Sequence, residues 1–152
     1  MSEKDVKIIN GEQYLGRMQM SMIDKLFFLD KIDFGLAVDF GCGYGSMLKS
    51  MSLFGFESLL EGYDNSPQMI DTAKKNCNGI NGLLLTSFWD DVVNLVNRLS
   101  GTKKVLVLSS VIHEVLHYSS PEKIAEFWDN IWGTGFDYIV IRDMAPSKSI
   151  DR

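Results

Sequence analysis

The strongest constraint on the fold is an alternation of short apolar runs and helical periods that begins at residue 36. The apolar runs cover residues 36–40, 58–63, 83–85, 105–112 and 136–141. The fourth run, VLVLSSVI, is the longest, and we expect it to be a strand buried on both faces. Strands that alternate with helices of about ten residues predict a parallel sheet with crossover helices. The fold class is therefore α/β.

Helix boundaries are marked by serine–proline pairs at 66–67 and 120–121. Serine is a preferred N-cap and proline is preferred at the first helical position. We expect these helices to end at Asn78-Gly79 and at Gly133, since glycine commonly follows a helix C-terminus. Two further helices are predicted at 46–54 and 91–99.

The first 35 residues are predicted to be helical. Ser21 and Asp24 have the spacing of a capping box, which would open a helix that carries Leu26 and Leu29. At 152 residues the chain has the size of one domain.

Charge and composition disfavour two classes of partner. Lys and Arg number 15 against 20 for Asp and Glu, so the net charge is -5, and the phosphate backbone of a nucleic acid would be repelled. No apolar run approaches the length that spans a membrane. The N-terminal MSEKDVK has no secretory apolar region, and Cys42 and Cys77 form no disulfide framework, so we expect a cytoplasmic location.

The stretch that carries most chemical information is DFGCGYG at 39–45, directly after the first predicted strand. Glycines at this point allow a tight turn into a helix and let a ligand approach the backbone. The spacing is G-x-G-x-G, because Ser46 stands where a dinucleotide fingerprint has its third glycine. Asp64 ends the second predicted strand, where a carboxylate can take both hydroxyls of a ribose.

AVDFGCGYG at 37–45 and GYDNSPQMIDTAKKN at 62–76 resemble the cofactor site of class I S-adenosylmethionine-dependent methyltransferases. The resemblance covers residues 36 to about 143 and implies a doubly wound, Rossmann-like sandwich with a mostly parallel five-stranded sheet in the order 3-2-1-4-5. It implies S-adenosylmethionine as cofactor and S-adenosylhomocysteine as product. Residues 1–152 would form one domain, with a helical lid at 1–35, a core at 36–143 and a polar tail at 144–152.

The resemblance also implies a role for each matching residue. Gly41, Gly43 and Gly45 would pass under the methionine and ribose parts of the cofactor. Asp39 would help hold its amino end and Asp64 its ribose.

Further cofactor contacts are implied around these residues. They are Asn65 and Met69 beside the adenine, Ser87 and Phe88 at its edge, Ser109 and Ser110 on the methionine side, and Tyr14, Arg17 and Met18 in the lid. Arg17 could pair with the methionine carboxylate, and a solvated helix position is its alternative. Ordinary core packing is the alternative for both methionines.

HEVLH at 113–117 fits the H-E-x-x-H pattern of zinc peptidases, which needs two histidines on one helix face and a third protein ligand. Here the motif directly follows a predicted strand, and the chain has only two histidines. A zinc hydrolase therefore ranks below a methyltransferase. At the carboxyl end of the fourth strand, His113 and Glu114 would face a ligand crevice, and with Asp143 they are the candidate catalytic residues. A structural histidine at a strand end is the alternative for His113.

The methyl acceptor is expected to be a small molecule. SSVI at 109–112 replaces the Asn/Asp-Pro-Pro-aromatic signature of nucleic-acid amino methyltransferases, and the acidic charge points the same way. A non-catalytic S-adenosylmethionine-binding subunit, or a pseudoenzyme that acts through a partner, is the alternative.

The family's sixth and seventh strands have no counterpart in this sequence, because only the polar residues 145–152 follow the fifth strand region. The fifth strand would then be an exposed edge, which proteins normally cover. We expect a second copy of the chain, a partner chain or a further C-terminal segment to cover it.

Overall fold

The structure is a computed structural model that describes residues 22–54 and 58–144. The strands are β1 (Leu36–Phe40), β2 (Leu59–Tyr63), β3 (Leu83–Thr86), β4 (Lys104–Ser109) and β5 (Tyr138–Arg142). The helices are α1 (Ser46–Leu53), α2 (Pro67–Asn76), α3 (Trp89–Arg98), α4 (Ile112–Tyr118) and α5 (Pro121–Thr134). Across these two ranges no helix has the length and apolar character needed to cross a membrane.

The strands form one sheet in the order β3-β2-β1-β4-β5, and every pairing is parallel. The predicted α/β class, Rossmann-like architecture and strand order are confirmed. The chain winds outward from β1 to β3 and then returns to place β4 on the other side of β1. In open parallel sheets a ligand crevice lies at this reversal, outside the carboxyl ends of the strands.

The central strands β1 and β4 are buried on both faces, as predicted. In β1, Ala37 belongs to the layer that includes residues of α1 and α2, whereas Leu36 and Val38 belong to the layer that includes residues of α3 and α5. The first five residues of β4 are all buried. Because the helices cover both faces, the loops at the carboxyl edge are the natural place for polar groups that meet a ligand.

The fourth strand is shorter than the apolar run that predicted it. It ends at Ser109, and Ile112 already begins α4, so the prediction of a strand through residue 112 was wrong. Ser110 has a φ of 59°, and its N–H donates to the carbonyl of Arg142 at 2.7 Å. This turn takes the chain out of the sheet, and Val111 is buried without being part of a strand. A continuous apolar run does not reveal such a change, because buried strands and buried helix starts have the same composition.

Both predicted serine caps are confirmed. The hydroxyl of Ser66 accepts from the Met69 N–H, and that of Ser120 accepts from the Lys123 N–H, each at 3.4 Å. The prediction that the last helix ends at Gly133 was wrong. Helix α5 continues through Gly133 and ends before Gly135. Gly135 has a φ of 91°, the left-handed conformation that terminates helices.

The segment before β1 is less helical than predicted. Residues 22–25 are helical, but residues 26–31 form hydrogen-bonded turns, so the expected helix through Leu26 and Leu29 is confirmed only at its start. Leu26 is nevertheless buried in the layer with α1 and α2. Packing against the sheet holds this segment in place although its regular hydrogen bonding has ended. Ser21 and the rest of the predicted lid lie outside the described residues.

Gly62 in β2 lies where the core leaves no room for a side chain. A Cβ there would lie 2.7 Å from both Leu48 Cδ1 and Leu85 Cδ2 and 2.8 Å from Cys42 Sγ. We expect Gly62→Ala to lower the free energy of unfolding by about 1–3 kcal/mol, measured by urea denaturation.

Gly133→Ala is the matched control. A Cβ at this position in α5 meets nothing within 4 Å, so the substitution should raise the free energy of unfolding by about 0.5–1 kcal/mol through helix propensity. Equal effects of the two substitutions would contradict the packing of the sheet against α1.

Candidate functional site

Two clefts open at the carboxyl ends of β1, β2 and β4. The larger cleft, of about 480 Å³, is lined by residues that include Tyr63, Asp64 and Glu114. The smaller cleft, of about 210 Å³, is lined by residues that include Lys25 and Asp39. Both clefts share Gly41 and Ser109 as lining residues, so they adjoin at the reversal between β1 and β4.

The glycine loop between β1 and α1 has a backbone that other residues rarely adopt. Gly41, Gly43 and Gly45 have φ values of 73°, 52° and 77°. A Cβ on Gly45 would lie 2.6 Å from the sulfur of Cys77, so this glycine lets the loop pack against the end of α2. A Cβ on Gly43 would meet nothing within 4 Å, so at this position the backbone conformation is the requirement. The loop therefore leaves open space on its ligand side.

Asp64 joins the glycine loop to the start of α2. Its Oδ2 accepts the Gly43 N–H at 3.0 Å, and its Oδ1 accepts the Ser66 N–H at 2.9 Å. A carboxylate oxygen can accept more than one hydrogen bond, so both oxygens have capacity for the hydroxyls of a ligand. The carboxylate is thus held rigidly at the edge of the larger cleft.

The smaller cleft contains a buried carboxyl and an ammonium group. Asp39 is only 5% exposed, and burial raises its pKa from 3.8 to about 7. The positive charge of Lys25 opposes this rise, while the negative charge of Asp64 adds to it. Because burial outweighs the attraction of Lys25, Asp39 lacks full compensation for a negative charge. A further cation in this cleft would favour its ionised form.

Ser109 provides an unsatisfied polar atom where the clefts adjoin. Its Oγ is buried and has no hydrogen-bond partner among residues 22–54 and 58–144. Buried hydroxyls normally have a partner, because an unsatisfied one costs about 1–3 kcal/mol. A polar ligand group that spans the two clefts would satisfy it.

His113 and Asp143 form a hydrogen-bonded pair beside the larger cleft. The ring Nδ1 lies 2.6 Å from Asp143 Oδ1, and the His113 N–H donates to Oδ2 at 3.1 Å. The Met144 N–H also donates to Oδ1, at 2.7 Å. Burial of Asp143 opposes ionisation, but these hydrogen bonds outweigh it and lower the pKa of Asp143. With the carboxylate ionised, Nδ1 is the donor and Nε2 is the nitrogen that can accept a proton.

The HEVLH motif lies on α4, so the expectation that it begins at a strand end was wrong. The helical setting is the one that zinc peptidases use, and the bond from Nδ1 to Asp143 leaves Nε2 as the free nitrogen of the first histidine. His117 is exposed, and its ring lies edge-on to Tyr118 at 4.5 Å. In the described part of the chain no group of three His, Cys, Asp or Glu residues could hold a metal ion.

The structure brings many of the sequence-predicted residues together. Those that line a cleft are Asp39, Gly41, Asp64, Asn65, Met69, Ser109, Ser110 and Glu114. Gly43 and Gly45 shape the loop, and His113 and Asp143 lie beside the larger cleft without being among its lining residues.

Other predicted contacts lie elsewhere. Ser87 and Phe88 precede α3 and line neither cleft, and Phe88 is 69% exposed. Tyr14, Arg17 and Met18 lie outside the described residues.

Sequence reasoning missed Lys25, Phe40 and Tyr63 as cleft residues. The two aromatic residues were assigned only to strands, although each is the last residue of its strand and so lies at the ligand edge. That position could have identified them. Lys25 carries no such signal, because it lies before the first strand and only the folded chain places it in the cleft of Asp39.

Comparison with known proteins identifies the fold. No protein-family model matches the chain, and a search of curated proteins finds no match. Among solved structures, a SAM-dependent methyltransferase from Archaeoglobus fulgidus matches with a TM-score of 0.57 and 19% identity over 89% of this chain and 57% of that one. The fold is that of the class I S-adenosylmethionine-dependent methyltransferases.

Two further structures have the class I methyltransferase fold in common with this chain. The N-methyltransferase NodS from Bradyrhizobium japonicum WM9, in complex with S-adenosyl-L-homocysteine, matches with a TM-score of 0.55 and 12% identity over 88% of this chain and 62% of that one. StiE O-MT matches with a TM-score of 0.53 and 16% identity over 84% of this chain and 42% of that one. The chain thus spans less than two thirds of the length of each of these proteins.

The hydrogen bonds that Asp143 accepts are expected to contribute to the stability of the protein. We expect Asp143→Asn to lower the free energy of unfolding at neutral pH by about 1–3 kcal/mol, because the ionised carboxylate accepts three hydrogen bonds. The folded-state pKa of Asp143 is depressed below 3.8, so its contribution is present above pH 3.8 and is lost as pH falls through the folded-state pKa.

The measurement is urea denaturation at a series of acidic and neutral pH values. Asp129→Asn, an exposed position on α5, is the control and should leave the unfolding curve unchanged. Identical acid sensitivity of the wild type and Asp143→Asn would contradict the role of this carboxylate.

Proposed function

We propose that this protein binds S-adenosylmethionine across the two clefts and transfers its methyl group to a small-molecule acceptor. The observation that carries the proposal is the pair of adjoining clefts at the β1–β4 reversal, with Asp64 in one and the pair of Lys25 and Asp39 in the other. An elongated ligand with a ribose at its centre and an amino acid at one end matches this order of groups.

The larger cleft would hold the nucleoside part of the cofactor. Asp64 offers carboxylate oxygens to the ribose hydroxyls, and its bonds to Gly43 and Ser66 keep those oxygens in place before the ligand arrives. Asn65 and Met69 line the same cleft and would flank the adenine. Since the site is held by backbone N–H groups, binding would require little reorganisation at this end.

The smaller cleft would hold the amino-acid part. Asp39 would attract the ammonium group, and Lys25 would attract the carboxylate, a role that the sequence resemblance assigned to Arg17. The two protein charges lie on different elements, β1 and the segment before it, and so can bind opposite ends of a zwitterion. The unsatisfied hydroxyl of Ser109 lies between this cleft and the larger one.

The bound cofactor supplies a methyl group that is already activated by a sulfonium. The chain's own residues then have to hold the acceptor in line, exclude water and remove a proton where the acceptor carries one. Glu114 lines the larger cleft and is a candidate for holding the acceptor. His113 is the candidate general base, with Asp143 as the residue that positions its ring.

A small-molecule acceptor is supported by the charge of the chain. At a net charge of -5, a polyanionic acceptor would be repelled over much of the surface. Formation of S-adenosylhomocysteine with phenols, amines or carboxylic acids, and not with RNA or DNA, is the expected result. Cofactor binding without turnover of any acceptor would favour the non-catalytic subunit instead.

The binding of S-adenosylmethionine and S-adenosylhomocysteine can be measured by calorimetry. We expect the wild type to bind both, and Asp64→Asn to bind each about 10–100-fold more weakly, because charge-assisted hydrogen bonds to the ribose are lost. Asp71→Asn, an exposed position on α2, should bind as the wild type does. The proposal fails if the wild type does not bind either molecule or if Asp64→Asn binds them equally well.

The buried carboxyl of Asp39 predicts opposite pH trends for stability and for ligand affinity. Its pKa is raised from 3.8 to about 7, so the stability of the free protein should fall as pH rises from 3.8 to about 7 and should level off above that. Affinity for S-adenosylmethionine should rise over the same range, because the ionised carboxylate attracts the ammonium group.

Calorimetry and urea denaturation from about pH 5.5 to about pH 8.5 would test both trends, with Asp39→Asn as the variant. The variant should lose most of the pH dependence of binding and part of that of stability, because Glu61 also has a pKa raised to about 7. An unchanged pH dependence of binding in Asp39→Asn would rule out the assigned contact.

A further inference from the structure

Glu61 is a buried carboxyl in the middle of β2. Its exposed fraction is 2%, and its neighbours Leu60 and Gly62 belong to a strand that is otherwise apolar until Tyr63. Charged side chains are almost never fully buried without a partner. Yet Glu61 Oε2 has no hydrogen-bond partner in the part of the chain that the structure describes. Burial of this oxygen without a partner costs free energy, and valine or isoleucine at the same position of the strand would be buried without that cost.

Glu61 belongs to a groove of about 560 Å³ beside α3 and the edge strand β3, which we call the Glu61 groove. Its lining also includes Leu84, Leu95, Asp91, Asn94 and Arg98. None of its lining residues lines either cleft of the proposed cofactor site. The groove is therefore separate from that site, and its chemistry does not depend on the proposed function.

The charges of the groove leave Glu61 without a counter-ion. No ion pair of Glu61 occurs among the described residues, and the Nε of Arg98 donates instead to the carbonyl of Asn94 at 3.3 Å. Burial and the negative charge of Asp91 raise the pKa of Glu61 to about 7, and Arg98 only partly opposes this. One oxygen of Asp91 accepts the hydroxyl of Thr86 at 2.5 Å, which fixes the second carboxylate of the groove in place.

We propose that the Glu61 groove binds a primary ammonium group carried on an apolar chain, with Glu61 as its counter-ion. An ammonium group has three donors and no acceptor, and the groove offers the carboxylates of Glu61 and Asp91 and the amide of Asn94 as acceptors. Leu84 and Leu95 provide apolar walls for the hydrocarbon. A metal ion fits less well, because the described residues hold no group of three His, Cys, Asp or Glu side chains suited to one.

The test is an NMR titration of the isotope-labelled protein with n-butylammonium chloride at about pH 8, where Glu61 would be ionised. Sodium chloride at equal ionic strength and 1-butanol are the controls for general salt effects and for apolar binding alone. We expect saturable shifts at Gly62, at Leu84 and at the side-chain amide of Asn94, which neither control reproduces.

Two substitutions should change the affinity in opposite directions. Glu61→Gln keeps the shape of the side chain and should weaken butylammonium binding at least about tenfold. Arg98→Gln removes the repelling cation of the groove and should tighten binding about two- to fivefold. Glu122→Gln, an exposed position on α5, is the matched control for net charge and should bind as the wild type does.

The proposal is overturned if the wild type gives no saturable shifts, if 1-butanol gives the same shifts, or if Glu61→Gln binds equally well. Binding seen only in Arg98→Gln would also overturn it, because Arg98 would then be the natural counter-ion. Should Glu61→Gln fail to fold, Asp91→Asn tests the second carboxylate of the groove, and equal binding by this variant would likewise contradict the proposal, because a weakening of about threefold is expected. Retained S-adenosylmethionine binding in the folded variants would separate this groove from the proposed cofactor site.

Discussion

The structure depends on the parallel pairing of β1 with β2 on one side and β4 on the other. This arrangement buries β1 on both faces. Its backbone groups bond to β2 and β4, and its side chains pack in the core on either side of the sheet. The chain can expose polar backbone only after Phe40, where the glycine loop begins. The same pairing brings the ends of β2 and β4 to the loop, and thereby places Asp64 and Ser109 on either side of Gly41.

The polar groups around this edge differ in whether other groups of the protein satisfy their hydrogen bonding and compensate their charge. Asp64 and Asp143 accept backbone N–H groups and are held in fixed positions before any ligand binds. Asp39 and Ser109 are buried with incomplete compensation, one in charge and the other in hydrogen bonding. Carboxylates that accept backbone N–H groups fix the geometry of a site. Buried groups with incomplete compensation destabilise the free protein, and a complementary ligand can remove that destabilisation. Glu61 is also a buried group with incomplete compensation, although it lies on a different part of the sheet.

Much of the fold could be predicted because its signals are local. The serine–proline caps at 66–67 and 120–121 and the alternation of strands and helices need only neighbouring residues, and they gave the order of the elements except for α4, which was not predicted. The errors lie at element ends, where the composition is similar on both sides of the boundary. Ser110 leaves the strand through a φ of 59°, although its N–H still bonds to Arg142 on β5, and α5 ends at the left-handed Gly135 rather than at Gly133.

The sequence by itself determined the fold class, the glycine loop and the carboxylate at the end of β2, since each depends on residue type at a short spacing. Only the tertiary structure decided which polar groups share a cleft. Lys25 meets the cleft of Asp39 across 14 residues, and His113 meets Asp143 across 30, so neither pairing has a periodic signal in the sequence. The burial of Glu61 is decided in the same way, because the cost of its charge depends on α3 and the neighbouring strands rather than on the residues beside it.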